Sequence, residues 1–267
     1  MHQARKIVFL VLLAAALASR AGGESPYRRS WSKDGWISGG SVAAGLGAIL
    51  ISGTPEPLTE QEIAGLSRES VNPFDRGATW NYSEAVNGAS DVLLGAVVVA
   101  PLALMLDRGA REDWKTCTLM YAETMALAVI VPAFTKGTVD RIRPFVYNEN
   151  APMDKKTTAD AKKAFFSRHA SVAFASAVFL STVYGDYHPG SAAGPYIWVG
   201  SLLAAAGVGF MRYESGDHFP TDVITGAVVG CAAGYIIPRI HRAGGERLSL
   251  RPDFTGCRPG LALELRL

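Results

Sequence analysis

Cysteine is nearly absent from this sequence. Cys117, Cys231 and Cys257 are the only three in 267 residues. They lie far apart, with no C-x-x-C or other metal-type spacing, which excludes a disulfide scaffold. An excess of one charge is also missing. With 26 Lys and Arg against 24 Asp and Glu, the net charge is +2, and nothing gives the electrostatic footprint of a nucleic-acid binder. Repeats of 20–50 residues and low-complexity tracts are absent too. Charged residues make up 19% of the chain against 49% hydrophobic. The mean hydropathy of +0.16 is high for a soluble protein and low for one that is mostly membrane.

The first residues, MHQARKIVFLVLLAAALASRAGG, carry Arg5 and Lys6, then an apolar run from Ile7 to Ala18, then small residues. That run is shorter than the ~20 residues a spanning helix needs. Ala16-Leu17-Ala18 fits a cleavage site, so 1–18 reads as a secretory signal peptide, or failing cleavage a short anchor. Six apolar segments follow, at about 36–53, 91–106, 116–135, 169–184, 194–211 and 219–238. Their lengths sit at the lower edge of a membrane span. Closely spaced small residues, as in ITGAVVGCAAG, would let helices approach tightly. The expected fold is therefore all-α: a six-helix up-and-down bundle over 24–242, transmembrane rather than soluble. A tail over 243–267 shows period-2 alternation around Pro259-Gly260 and reads as strand-like.

The connection 54–86 holds six acidic residues and two Arg, whereas 107–115 holds three Lys or Arg. The positive-inside rule puts 107–115 in the cytoplasm and the acidic connection outside. That orientation conflicts with a cleaved signal, so either the leader is an uncleaved anchor, or one apolar segment does not span, or the bundle is not transmembrane. Thr59 and Glu62 form a T-x-x-E pattern that predicts a short helix.

Polar residues gather where segments three and four, and five and six, meet. In an antiparallel bundle these junctions share one face, which brings Lys136, Arg143, Ser167, His169, Arg212, His218 and Asp222 together. Lys and Arg neutralise phosphoryl oxygens, Arg bidentately. Ser167 precedes a helix start that favours an anion. One imidazole can attack phosphorus while the other protonates the departing oxygen. Asp222, four residues after His218, could fix its tautomer, and Pro220 suits a helix's first turn.

Lys136-x6-Arg143-Pro144, Ser167-x-His169 and Arg212-x5-His218-x3-Asp222 together resemble the three-part signature of the type 2 phosphatidic acid phosphatase (PAP2) superfamily, over 136–222. The resemblance implies a phosphatase acting on a lipid phosphate or polyprenyl pyrophosphate without metal or other cofactor. His218 would be its nucleophile, Asp222 the orienter of His218, and His169 the acid. Lys136, Arg143, Ser167, the backbone at Arg168, and Arg212 would hold the phosphate. It implies a bacterial envelope protein of the inner membrane with a periplasm-facing site. The alternatives are a soluble periplasmic acid phosphatase of class A type and an inactive lipid-phosphate binder. The last is raised by Arg168, which stands where the family keeps a Gly that tolerates positive φ and close approach. Outside the constellation, His188 reads as solvated, His241 as part of a basic helix end, and Lys155, Lys156, Lys162 and Lys163 as a solvated charge run.

Overall fold

The computed structural model describes residues 25–51 and 55–243, and the backbone of 248–253 and 260–265. The leader, residues 52–54 and Cys257 lie outside the described residues. The described residues include six long helices: α1 (Trp31–Ile51), α2 (Glu84–Val99), α3 (Trp114–Thr138), α4 (Arg168–Tyr187), α5 (Gly194–Glu214) and α6 (Pro220–His241). Short helical turns fill the connections.

Local chemistry sets their ends. Ser83 caps α2, its hydroxyl accepting from the Val86 N–H. The helix thus begins seven residues before Asp91, which the apolar pattern had placed at its start, and Asp91 lies about two turns in. Past Val99 the chain tightens into a 3₁₀ run, Ala100–Leu106, with Pro101 near its start. Ser167 caps α4 and Pro220 opens α6, as a donor-free residue at N1 should. Thr59 and Glu62 make their reciprocal capping box at Glu60–Ala64.

Among the described residues four helices are long and apolar enough to cross a membrane: Glu84–Leu106, Trp114–Thr138, Gly194–Glu214 and Pro220–His241. Their outward residues are large and apolar, with Val92, Leu106, Tyr196, Leu203 and Val228 all more than 60% exposed. Helix α4 is not in that set. It carries Ser171, Ser176, Ser181 and Thr182, all buried, and the other helices enclose it. Serine hydroxyls there bond back to carbonyls one turn earlier, as Ser176 does to Val172 and Ser181 to Ala177. The central helix thus buries these small polar residues together with Val178, Phe179 and Val183.

Helix α6 lies directly against α4. A Cβ at Gly226, Gly230 or Gly234 would overlap the carbonyl oxygens of Ser167, Ser171 and Ala175 respectively. The two backbones are therefore in contact along three turns. Past the bundle, Leu248–Asp253 pairs antiparallel with Gly260–Leu265.

Candidate active site

Side-chain pairings place the N-terminal ends of α2, α4 and α6 beside the C-terminal ends of α3 and α5. Ser167 N–H donates to the Asp222 carbonyl (3.1 Å), joining the start of α4 to that of α6. Arg212, in the last turn of α5, donates to Asn87 and Ser90 of α2. The face deduced from antiparallel order is thus built. The turn between Arg212 and His218 passes through Gly216 at φ +76°. There a side chain would also run into the Asn81 carbonyl, so only Gly serves.

His218 is 1% exposed. Its Nδ1–H donates to the Ala164 carbonyl at 2.8 Å, while the nearer Asp222 oxygen stands at 3.7 Å. Sequence reasoning gave the orienting bond to Asp222, but the carbonyl has it. A carbonyl can only accept, so Nδ1 holds the proton and Nε2 keeps its lone pair. Asp222 is engaged elsewhere. One oxygen accepts from the Phe219 N–H (2.9 Å) and the other pairs with Arg141. Arg141 also donates to Asp75 (2.7 Å) and Thr221 (2.9 Å). Asp75 further accepts from Asn72 and from both donors of Thr221. Although burial raises the Asp75 carboxyl, these bonds hold it below the usual carboxylate range.

The two arginines converge on one carboxylate. Arg143 donates to the Asp217 carbonyl (3.1 Å) and meets its side chain at 3.4 Å, and Arg212 reaches the other Asp217 oxygen at 3.1 Å. Both arginines and Asp217 are 5% exposed. Arg143 also pairs with Asp160 (2.9 Å), and Lys136 donates to the Lys163 carbonyl (2.8 Å). The Arg212 Nε is buried without an acceptor among the described residues. His218 sits within this positive field. Burial first, then Lys136, Arg143, Arg212 and His169, push its imidazole well below the ordinary histidine value, so it is neutral.

His169 bonds through Nε2 to Asp91 at 2.8 Å. Burial and Arg212 push its imidazole down to about 4, against the opposing pull of Asp91. Arg168 is the first residue of α4, and the described residues include no non-glycine residue at positive φ. The backbone therefore has ordinary helical geometry where a Gly was expected, and an Arg fits without strain.

All eight residues expected at the site belong to this end of the bundle. Sequence reasoning missed Asp75, Asp91, Arg141, Ala164 and Asp217. Arg141 and Asp217 stood inside the quoted motifs, where a charge within a phosphate signature was the available signal. Three further readings need correction. His188 is not merely solvated, since its Nε2 meets Asp107 at 3.0 Å. Lys156 is buried at 6% exposure. His241 is 2% exposed and faces two carboxylates.

Residues 118–245 match the family model of the PAP2 superfamily. Two solved structures are similar. One is Aquifex aeolicus LpxE, at 20% identity over 59% of this chain and 87% of that one, with a TM-score of 0.41. The other is the first transmembrane PAP2 type phosphatidylglycerolphosphate phosphatase from Bacillus subtilis, at 19% identity over 89% of this chain and 94% of that one, with a TM-score of 0.40. No curated protein sequence matches the chain.

Proposed function

We propose that the chain, whose residues 118–245 match the PAP2 superfamily model, is a phosphatase of that type and hydrolyses a lipid phosphate or polyprenyl pyrophosphate through a phosphohistidine on His218. The observation that carries this reading is a neutral, buried imidazole whose Nδ1–H is tied to a carbonyl. Two buried arginines and a lysine surround it, at one end of a bundle with apolar outer faces.

The steps follow from the geometry. The phosphoryl group enters between Arg143 and Arg212, taking the position Asp217 holds between them, with Lys136 on a third oxygen. The Nε2 lone pair of His218 attacks phosphorus and the bond to the leaving oxygen breaks. His169, as the imidazolium, gives that oxygen its Nε2 proton and is left neutral, the ester oxygen replacing Asp91 as acceptor. Water then attacks phosphorus, the bond from phosphorus to His218 Nε2 breaks, and the neutral His169 takes the proton of the water. Inorganic phosphate leaves and His218 is neutral again. Asp222 acts through position: it ties the start of α6 to Arg141 and keeps a negative charge near Nδ1 as positive charge develops there. The periplasm-facing orientation belongs to this proposal, supported by the scarcity of Lys and Arg in 54–86, with two Arg, against three Lys or Arg in the short 107–115.

The test is phosphate release from phosphatidate, phosphatidylglycerol phosphate and undecaprenyl pyrophosphate, with acid-quenched trapping of radiolabelled phosphate on the protein. The native protein should release phosphate from at least one substrate and retain acid-labile, base-stable label. His218→Ala should lose both, by about 10³-fold or more in rate. Arg168→Gly should keep kcat while raising KM severalfold, because it removes only a nearby positive charge. Full turnover in His218→Ala, or no release from any of the three, would overturn the proposal.

A further inference from the structure

The end of the bundle away from the phosphate site holds a second constellation that the chemistry above does not use. Asp34 in the first turn of α1, Glu123 in α3 and His241, the last residue of α6, offer one ligand atom each, all within 4.8 Å of one another. Asp222 and His241 lie near opposite ends of α6, roughly 30 Å apart at 1.5 Å per residue. Glu123 and His241 are each 2% exposed.

Each of the three side chains is pinned by its other polar atom. The His241 Nδ1–H donates to the Ile237 carbonyl at 2.8 Å. The Ser30 N–H holds Asp34 Oδ2 at 3.1 Å, and the Ser38 hydroxyl holds Glu123 Oε1 at 3.2 Å. What remains is Nε2, Oδ1 and Oε2, turned toward a common point. Partners of this kind on the far atoms are what orient metal ligands. The Nε2–Oδ1 and Nε2–Oε2 separations are 3.0 and 3.3 Å. Ligands about 2.0–2.1 Å from a tetrahedral zinc stand roughly 3.3 Å from each other.

Because Nδ1 already carries a proton, Nε2 can meet these carboxylates through a second proton, on the imidazole or on a carboxyl oxygen, or through a metal ion. A proton on Nε2 serves Asp34 Oδ1 but leaves Glu123 Oε2 buried with no hydrogen-bond donor. An anionic oxygen in that state is costly inside an apolar bundle. A divalent cation serves all three atoms and neutralises both carboxylates.

We propose that Asp34, Glu123 and His241 form a binding site for a divalent first-row transition ion, best suited to zinc. The ion has a structural role, clipping α1 to α3 and α6. One imidazole with two carboxylates favours zinc over magnesium or calcium, which prefer all-oxygen shells.

The test uses the full chain, purified in detergent without a histidine tag and loaded with Zn²⁺ or Co²⁺ before excess metal is removed. Native protein and His218→Ala should each retain about one zinc per chain, and Co²⁺ should give the intense visible absorption of a four-coordinate ion. Glu123→Gln should retain less than about a fifth of that metal. Zinc should raise the Tm of the native protein by several degrees and leave that of Glu123→Gln unmoved. Asp34→Asn provides the same comparison if Glu123→Gln does not fold. A folded native protein that retains no zinc and shows no Tm shift would overturn the site and make the triad a proton-held ion network. Equal retention in the variants would also overturn it, by placing the metal elsewhere.

Discussion

The two histidines of the proposed phosphate site sit in the same positive field, and their different anchors suit them to the different roles proposed for them. His218 is bound by a carbonyl, which fixes a proton on Nδ1 without supplying charge. His169 is bound by Asp91, which opposes the burial and the Arg212 charge that push it down to about 4. A general acid must start protonated, so in the free enzyme the competent fraction of His169 grows as pH falls toward that value. The phosphatase should therefore show kcat/KM rising from neutral toward acidic pH. In Asp91→Asn the upward pull on His169 is lost, so its value falls and the alkaline limb should move to lower pH. A pH–rate series on one lipid substrate checks both. A limb that moves upward in Asp91→Asn would contradict the assignment.

At this scale the spacing of the three motifs made the charged and nucleophilic groups legible, because antiparallel order alone brings them to one end. Ala164 was not legible, since its contribution is a main-chain oxygen with no side-chain signature. Asp75 acts across 146 residues on Thr221, and His241 meets Asp34 across 207. Nothing local marks either pairing. Arg239 and Arg242 beside His241 gave it the look of an ordinary basic helix end.

At the scale of elements, the small-residue spacing of ITGAVVGCAAG predicted close helix approach, and the structure places that approach between α4 and α6. The partner was not readable, because α4 is marked by serines and alanines and no strong apolar face singles it out. The consequence of contact is steep. Gly230→Ala puts a methyl group into the Ser171 carbonyl and should cost about 1–3 kcal/mol, read as a lower Tm in detergent. Gly95→Ala on α2 has open space around it and should be neutral or stabilising by up to about 1 kcal/mol. Equal effects from the two would mean that helix propensity, not contact, governs α6. The start of α2 was misplaced for a different reason. Its first turn is polar, and the cap at Ser83, not the apolar run, decides where it begins.

For the whole molecule, the six-helix plan and the clustering of the site at one end were legible, while the ranking of the helices was not. Hydropathy treats the six segments as alike, yet the packing makes α4 an interior element with no exposed residue. Four others form candidate spans with outward apolar faces. This arrangement has a mechanical consequence. His169 and Ser167 at the head of α4, and Asp222 at the head of α6, are mounted on two backbones in contact, and α4 is shielded by the helices around it. When the bilayer thickens or thins, the adjustment falls first on the outer helices, which can tilt. The inner pair moves as one beam, and His218, two residues before α6 and bonded to Ala164 just ahead of α4, is held relative to His169 by protein rather than by lipid. Turnover in bilayers of short and long acyl chains should then vary in KM, which depends on how the substrate headgroup meets the rim. The value of kcat should stay within about twofold. The enzyme would in effect carry its own ruler, independent of the membrane it works in.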